Sequence, residues 1–219
     1  MPRRVPLLAA ALLAVVVPDL SAQDQSSACS AVTNSKVGYW AAFDVEGAAA
    51  AQLSALRFAL VERNDEANST WYEFSAETNQ GAVVVQLDVP GRPFETTDIK
   101  GAIVKMAGQP AMRLPNEMLS MLQQQMGDNP IADFAEQCET AAVIGNETIE
   151  TAAGSFKSIH MRSDENGSEA WISADVPFGI VKGLLPDGGT MTIKAYGTDA
   201  TSGITETPQP MPGMGGMNR

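Results

Sequence analysis

"GSEAWISADVPFGIVKG" (residues 167–183) contains a strand, a halt and a second strand. Trp171, Ile172 and Val176 run into Pro177, whose nitrogen has no proton to give to a strand ladder. Gly179 then frees the backbone, and Ile180 and Val181 resume an apolar run. Two short apolar runs around such a break read as adjoining strands, with the break where they bend or turn at a sheet rim. No catalytic signature accompanies it.

Strand patterns continue on both sides. "GNETIETAAG" (145–154) and "SFKSIHMRS" (155–163) precede the stretch, and "MTIKAYG" (191–197) follows it. Nearer the N-terminus, "VGYWAAFDV" (37–45) reads as a strand, and the Ala-rich residues 46–55 fit helix or strand. Leu56, Phe58 and Leu60 then alternate with Arg57 and Glu62 among the intervening polar positions. The turn cluster "NDEANS" (64–69) leads to "TWYEFSAET" (70–78), "GAVVVQLDV" (81–89) and a further run near Ile103.

The middle of the chain changes period. Pro115 and Asn116 form a helix start, and Met118, Leu119, Met121, Leu122 and Met126 recur at helical spacing. Gly127 to Pro130 interrupt the pattern, and a second helical stretch covers about 131–141, with Cys138 inside it. The order is strands, a helical insertion at about 115–141, then strands. That order predicts an α+β domain: one large antiparallel sheet with two helices on a face.

The ends have their own signals. Met1-Pro2-Arg3-Arg4, the apolar run Val5–Val17 and the small residues Ser21-Ala22 have the layout of a signal peptide over residues 1–22. Residues 23–205 then form a single exported domain, periplasmic or secreted, with no transmembrane segment. The Pro/Gly/Met-rich residues 206–219 read as a disordered tail. Without Arg3, Arg4 and Asp19 the chain keeps 12 basic and 25 acidic residues, a net charge of −13. Such acidity opposes binding to nucleic acid or anionic lipid surfaces. In an oxidising compartment Cys29 and Cys138, the two cysteines, are expected to bond. On the chain-entropy view, a loop of that length stabilises by roughly 4 to 5 kcal/mol.

Catalytic and metal-binding resources are few. His160 is the one histidine, read as a partly exposed strand residue, and no Gly-x-Ser-x-Gly elbow is present. A multi-histidine zinc site is excluded by that count. Met211, Met214 and Met217 could offer soft thioethers to Cu(I), but no His or Cys stands beside them. The expectation is no enzyme, no cofactor and no metal.

Gly154-Ser155-Phe156, Trp171-Ile172-Ser173, Val176 to Lys182 and Tyr196-Gly197 together resemble a group of exported bacterial β-proteins of unknown function. That group is similar in layout to the lipoprotein-carrier (LolA-like) fold, a large curved sheet forming an unclosed β-barrel with helices in its concave face. The resemblance implies binding of a lipid or other apolar ligand between sheet and helices. Met118, Met121, Leu122, Met126 and Trp171 are the candidate ligand-binding residues. The alternative is an envelope-structural or protein-interaction domain with a filled core.

Overall fold

The computed structural model describes residues 20–33, 35–47, 53–90, 99–126, 138–185 and 188–211. Helix α1 (Leu20–Thr33) is followed by β1 (Trp40–Glu46), β2 (Leu53–Asn64), β3 (Ser69–Thr78), β4 (Gly81–Val89), β5 (Gly101–Met106) and β6 (Met112–Arg113). Helix α2 (Asn116–Met126) leads toward β7 (Ala142–Thr151), β8 (Gly154–Arg162), β9 (Glu169–Ile172), β10 (Ile180–Leu184), β11 (Thr190–Gly197) and β12 (Gln209–Pro210). Among the described residues all twelve strands join one sheet, in the order β12-β6-β5-β4-β3-β2-β1-β11-β10-β9-β8-β7. Its two edges, β12 and β7, do not pair with each other, so the sheet is large and unclosed, as the LolA-like resemblance implied. Every pairing is antiparallel except β12 on β6, which is parallel.

Alternation separates the two faces. The inner face carries Phe43, Phe58, Leu60, Tyr72, Leu87 and Ile193, which belong to one buried cluster. Phe43, Phe58 and Phe74 meet edge to face, with centroids 5.7 and 5.2 Å apart. The hairpin of β7 and β8 runs past the short β9, so Phe156 at its tip reaches Tyr196 of β11, 5.9 Å between centroids.

One helix was not anticipated, one expectation lies largely outside the described residues, and one is corrected. First, residues 20–33 are a helix, where the sequence shows little apolar periodicity. Small side chains let α1 approach the sheet, and Ala28 and Val32 pack on Met161 and Ile172. The Gln25 amide donates to the carbonyls of Cys138, Glu139 and Ala141 at 3.2, 2.6 and 3.1 Å. The expected Cys29–Cys138 disulfide is formed, with its Cα atoms 5.6 Å apart. Second, α2 matches the first half of the predicted insertion, but of the second helix only Cys138–Thr140 is described. Residues 127–137 lie outside the described residues, as do 1–19 of the expected signal peptide; Leu20–Ala22 begin α1. Third, residues 206–211 are not a disordered tail. Glu206 accepts from Lys105 at 2.8 Å and from the Ala111 amide at 3.2 Å, and β12 pairs with β6. The folded unit therefore reaches at least Met211, beyond the expected end at 205; residues 212–219 lie outside the described part.

The break in the opening stretch serves α1. Phe178 and Gly179 both have positive φ, 62° and 71°. A Cβ on Gly179 would stand 2.9 Å from the Val32 nitrogen, so only glycine lets the two backbones meet there. Phe178 tolerates its left-handed conformation because its ring is buried in the main cluster.

Candidate functional site

Three cross-strand rows cross the inner face of β2, β3, β4 and β5 in register. Leu60, Tyr72, Leu87 and Ala102 form the first, exposed by 2, 3, 4 and 0%. One step along the strands, Phe58 is buried, but Phe74, Val85 and Val104 are only partly so. In the last row Leu56, Ala76 and Val83 are partly buried and Met106 is 37% exposed. Burial thus falls steadily toward the β3–β4 turn while the residues stay apolar. A sheet face losing its cover without losing its apolarity is a place where an apolar molecule gains by docking.

The predicted site residues divide. Leu119 of α2 is buried in the main cluster. Met118 is partly buried, and Met121 is half exposed. The side chains of Leu122 and Met126 lie outside the described part. Trp171 does not join this group, because register pairs it with Lys182 and His160 on the opposite, outer face. Leu56, Val83, Val85, Val104 and Met106 were not singled out from sequence. Alternation could have placed them on one face, but which end of that face stays uncovered depends on tertiary packing.

The outer face is polar and densely bonded. All three tryptophans lie there under cations: Arg57 over Trp40 at 5.3 Å, Arg113 over Trp71 at 5.8 Å and Lys182 over Trp171 at 4.6 Å. Glu73 is 1% exposed, yet its charge is matched by Arg57 at 3.1 Å, the Gln86 amide at 2.9 Å and the Gly203 backbone N–H at 2.8 Å. Gly203 and Ser202 belong to the C-terminal segment, so this buried carboxylate pins that segment to the sheet. A groove of about 350 Å³ beside it is lined by Trp71, Ile103, Arg113 and Ile204.

His160 is buried rather than partly exposed. Its ring stacks on Trp171, 4.2 Å between centroids, and its Nδ1 and Nε2 lie 2.8 and 2.9 Å from Glu147 and Glu169. Both contacts are hydrogen bonds at once only when both nitrogens carry protons. Each ring nitrogen thus faces a carboxylate of a neighbouring strand. The Trp171 N–H and His160 hold Glu147 below the ordinary carboxylate range, the indole bond being the larger cause. Lys105 does the same to Glu206. Among the described residues no group of three or more His, Cys, Asp or Glu is arranged to hold a metal ion.

Charge is segregated as sharply as polarity. Register places Arg57, Lys105 and Arg113 on the outer face of β2, β5 and β6, between the inner residues of each strand. Lys182 and Lys194 project outward from β10 and β11, the latter 2.7 Å from Asp44. Lys36, Arg63 and Lys100 sit at the strand ends next to the fully buried row. No described Lys or Arg lies in the row of Leu56, Ala76, Val83 and Met106.

No protein-family model matches the chain, and no curated protein matches its sequence. Solved structures share its general layout at low identity. LprF from Mycobacterium bovis is 13% identical with a TM-score of 0.44, over 85% of this chain and 96% of that one. A putative lipoprotein from Parabacteroides distasonis ATCC 8503 is 10% identical with a TM-score of 0.36, over 76% and 98%. A DUF1329 family protein from Desulfovibrio piger ATCC 29098 is 10% identical with a TM-score of 0.35, over 82% and 91%. Likenesses at this distance carry no functional argument. Among the described residues no helix is long and apolar enough to cross a membrane.

Proposed function

We propose that the chain is an exported, non-enzymatic protein that holds a lipid or another apolar molecule against the inner face of its sheet. The observation that carries this reading is the falling burial across the three rows, ending at Leu56, Val83 and Met106. Helix α2, with Leu119 anchored in the core, supplies the second wall, and Met118, Met121, Leu122 and Met126 are its ligand-facing candidates. Methionine suits such a wall because its unbranched thioether adapts to ligands of different shape. Trp171 supports the sheet from behind and takes no part in holding the ligand. The signal-peptide pattern of residues 1–22 and the formed disulfide support an oxidising compartment outside the cytoplasm.

The alternative is an envelope protein with a filled core whose surface binds another protein. The close packing of α1 on Met161 and Ile172 favours it, since that part of the inner face is already covered. Native mass spectrometry of the protein purified from its own envelope separates the two. A lipid mass adduct lost on collisional activation is the expected result. Bare protein, with no uptake of a fluorescent fatty-acid probe, would leave the interaction reading standing alone.

A further inference from the structure

The groove between the outer face and the C-terminal segment has unmatched charge of both signs. Ile204 and Pro208 of that segment line one side, and Glu62, Trp71, Ile103 and Arg113 of the sheet line the other. The remaining charges around it are matched. Glu73 is held by Arg57 and the Gly203 N–H, and Glu206 by Lys105 and the Ala111 N–H. Asp88, opposite Trp71, accepts from the Ser69 hydroxyl. Among the described residues the side chains of Glu62 and Arg113 have no ion pair and no hydrogen bond. Arg113 lies over the Trp71 ring, 5.8 Å from its centroid, a contact that gives its N–H fork no acceptor.

Register sets these two charges apart. Glu62 faces Trp71 across β2 and β3. The far end of the indole reaches β5 instead: a Cβ on Gly101 would stand 3.5 Å from Trp71 Cη2 and 3.8 Å from Arg113 Nη1. From β2 to β5 is three strand spacings, about 14 Å between backbones. A molecule with its ammonium and carboxylate on one carbon cannot meet both groups. One with an apolar body and opposite charges at its two ends can, and an extended tripeptide is about 10 Å long. Glu62 and Arg113 are long enough to lean in over the difference. We infer that the groove binds a short apolar peptide with free termini, its ammonium at Glu62 and its carboxylate in the Arg113 fork. Its side chains lie on Trp71, Ile103 and Ile204, and a groove of about 350 Å³ has room for them. This site is on the opposite face from the rows proposed to hold an apolar ligand and does not depend on them.

Isothermal calorimetry of the full chain with the tripeptide Leu-Ala-Leu, and with its N-acetylated and C-amidated forms, tests the inference. The free tripeptide is expected to bind, and capping either end to weaken it about fivefold, the upper range for an exposed ion pair. Arg113→Gln should bind the free and amidated forms equally while still disfavouring the acetylated one, and Glu62→Gln should do the reverse. Both side chains are exposed, so both variants should fold, which circular dichroism checks. No binding of the free tripeptide, or equal binding of all three forms by the unaltered protein, overturns the inference. Discrimination that survives both substitutions overturns it as well, since the termini would then be read elsewhere.

Discussion

Leu87 and Val83 lie on the same strand and the same face, four residues apart, and have opposite surroundings. Leu87 is sealed between Tyr72 and Ala102, whereas Val83 meets Ala76 and the exposed Met106. Both are aliphatic and both alternate correctly, so strand formation alone does not distinguish them. What differs is the third dimension: the first row is covered and the last is not. A sheet selected only for stability gains from covering its apolar surface, at roughly 25 cal/mol for each Å² removed from water. Leaving the last row partly bare therefore points to something other than stability.

The sharpest way to break this comparison is to truncate both ends. Leu87→Ala should lower unfolding free energy by about 2 to 5 kcal/mol in urea titration, the usual range for a buried leucine. Val83→Ala should cost under about 1 kcal/mol, because fewer contacts are lost and water already reaches the site. Equal losses would mean that the open row is core in solution, and the ligand reading would have no site.

Next in size is the disulfide. Cys29→Ser with Cys138→Ser should cost about 2 to 5 kcal/mol, as for other long loops. The loss should concentrate on α1, whose remaining anchors are the Gln25 bonds and a few small side chains on Met161 and Ile172. Hydrogen exchange should show α1 opening while β2 to β5 stay protected. Uniform loss of protection would instead make α1 part of the same cooperative unit as the sheet.

Val83→Gln with Met106→Gln should shift the balance the other way. Stability should change little, while uptake of a fatty-acid probe should weaken about tenfold. One lost apolar contact of roughly 1.5 kcal/mol corresponds to a factor of that order. If the variant binds as the parent does, the ligand lies elsewhere.

Much of the sheet could be read from the residues, since alternation survives where one face is buried. "GAVVVQLDV" is β4, residue for residue, and the turn after Asn64 falls where its Asp, Glu and Asn cluster put it. Helix α1 was not legible because its face is made of Ala, Cys and Val among serines, and it is held by a disulfide and by Gln25 rather than by an apolar stripe. Glu206 was hidden for a related reason: a Pro-rich tail composition says nothing about a lysine 101 residues away. The candidate site was harder to read than the sheet. The apolar stripe of α2 was visible, but Trp171 was drawn to it by apolarity when cross-strand register, not composition, decides which face a residue takes.

The smallest effect belongs to the outer face, where polar bonds rather than burial do the holding. Glu147 titrates below the ordinary carboxylate value of 4.5 because the Trp171 indole, first, and His160, second, hydrogen-bond its charged form. A carboxyl lowered in the folded state contributes stability that is fully present above its unfolded value. That stability is lost as pH falls through the lowered folded value. The carboxylate is nearly half exposed, so solvent screens much of it and the contribution is modest. Glu147→Gln should therefore lower Tm slightly at neutral pH, and the difference from the parent should close as pH falls below about 4. Glu169, Arg162 and Lys182 share the surroundings, and the first of these keeps one bond to His160 in the variant. Thermal melts across that range check the sign. A gap that widens in acid would mean that Glu147 is held in its protonated form, contrary to the geometry. A gap independent of pH would leave only the lost shape of the Trp171 bond. The inner-face variants should show no such acid dependence, since no carboxyl or histidine lies on those rows, and the two faces would then differ in the solution variable that each one answers to.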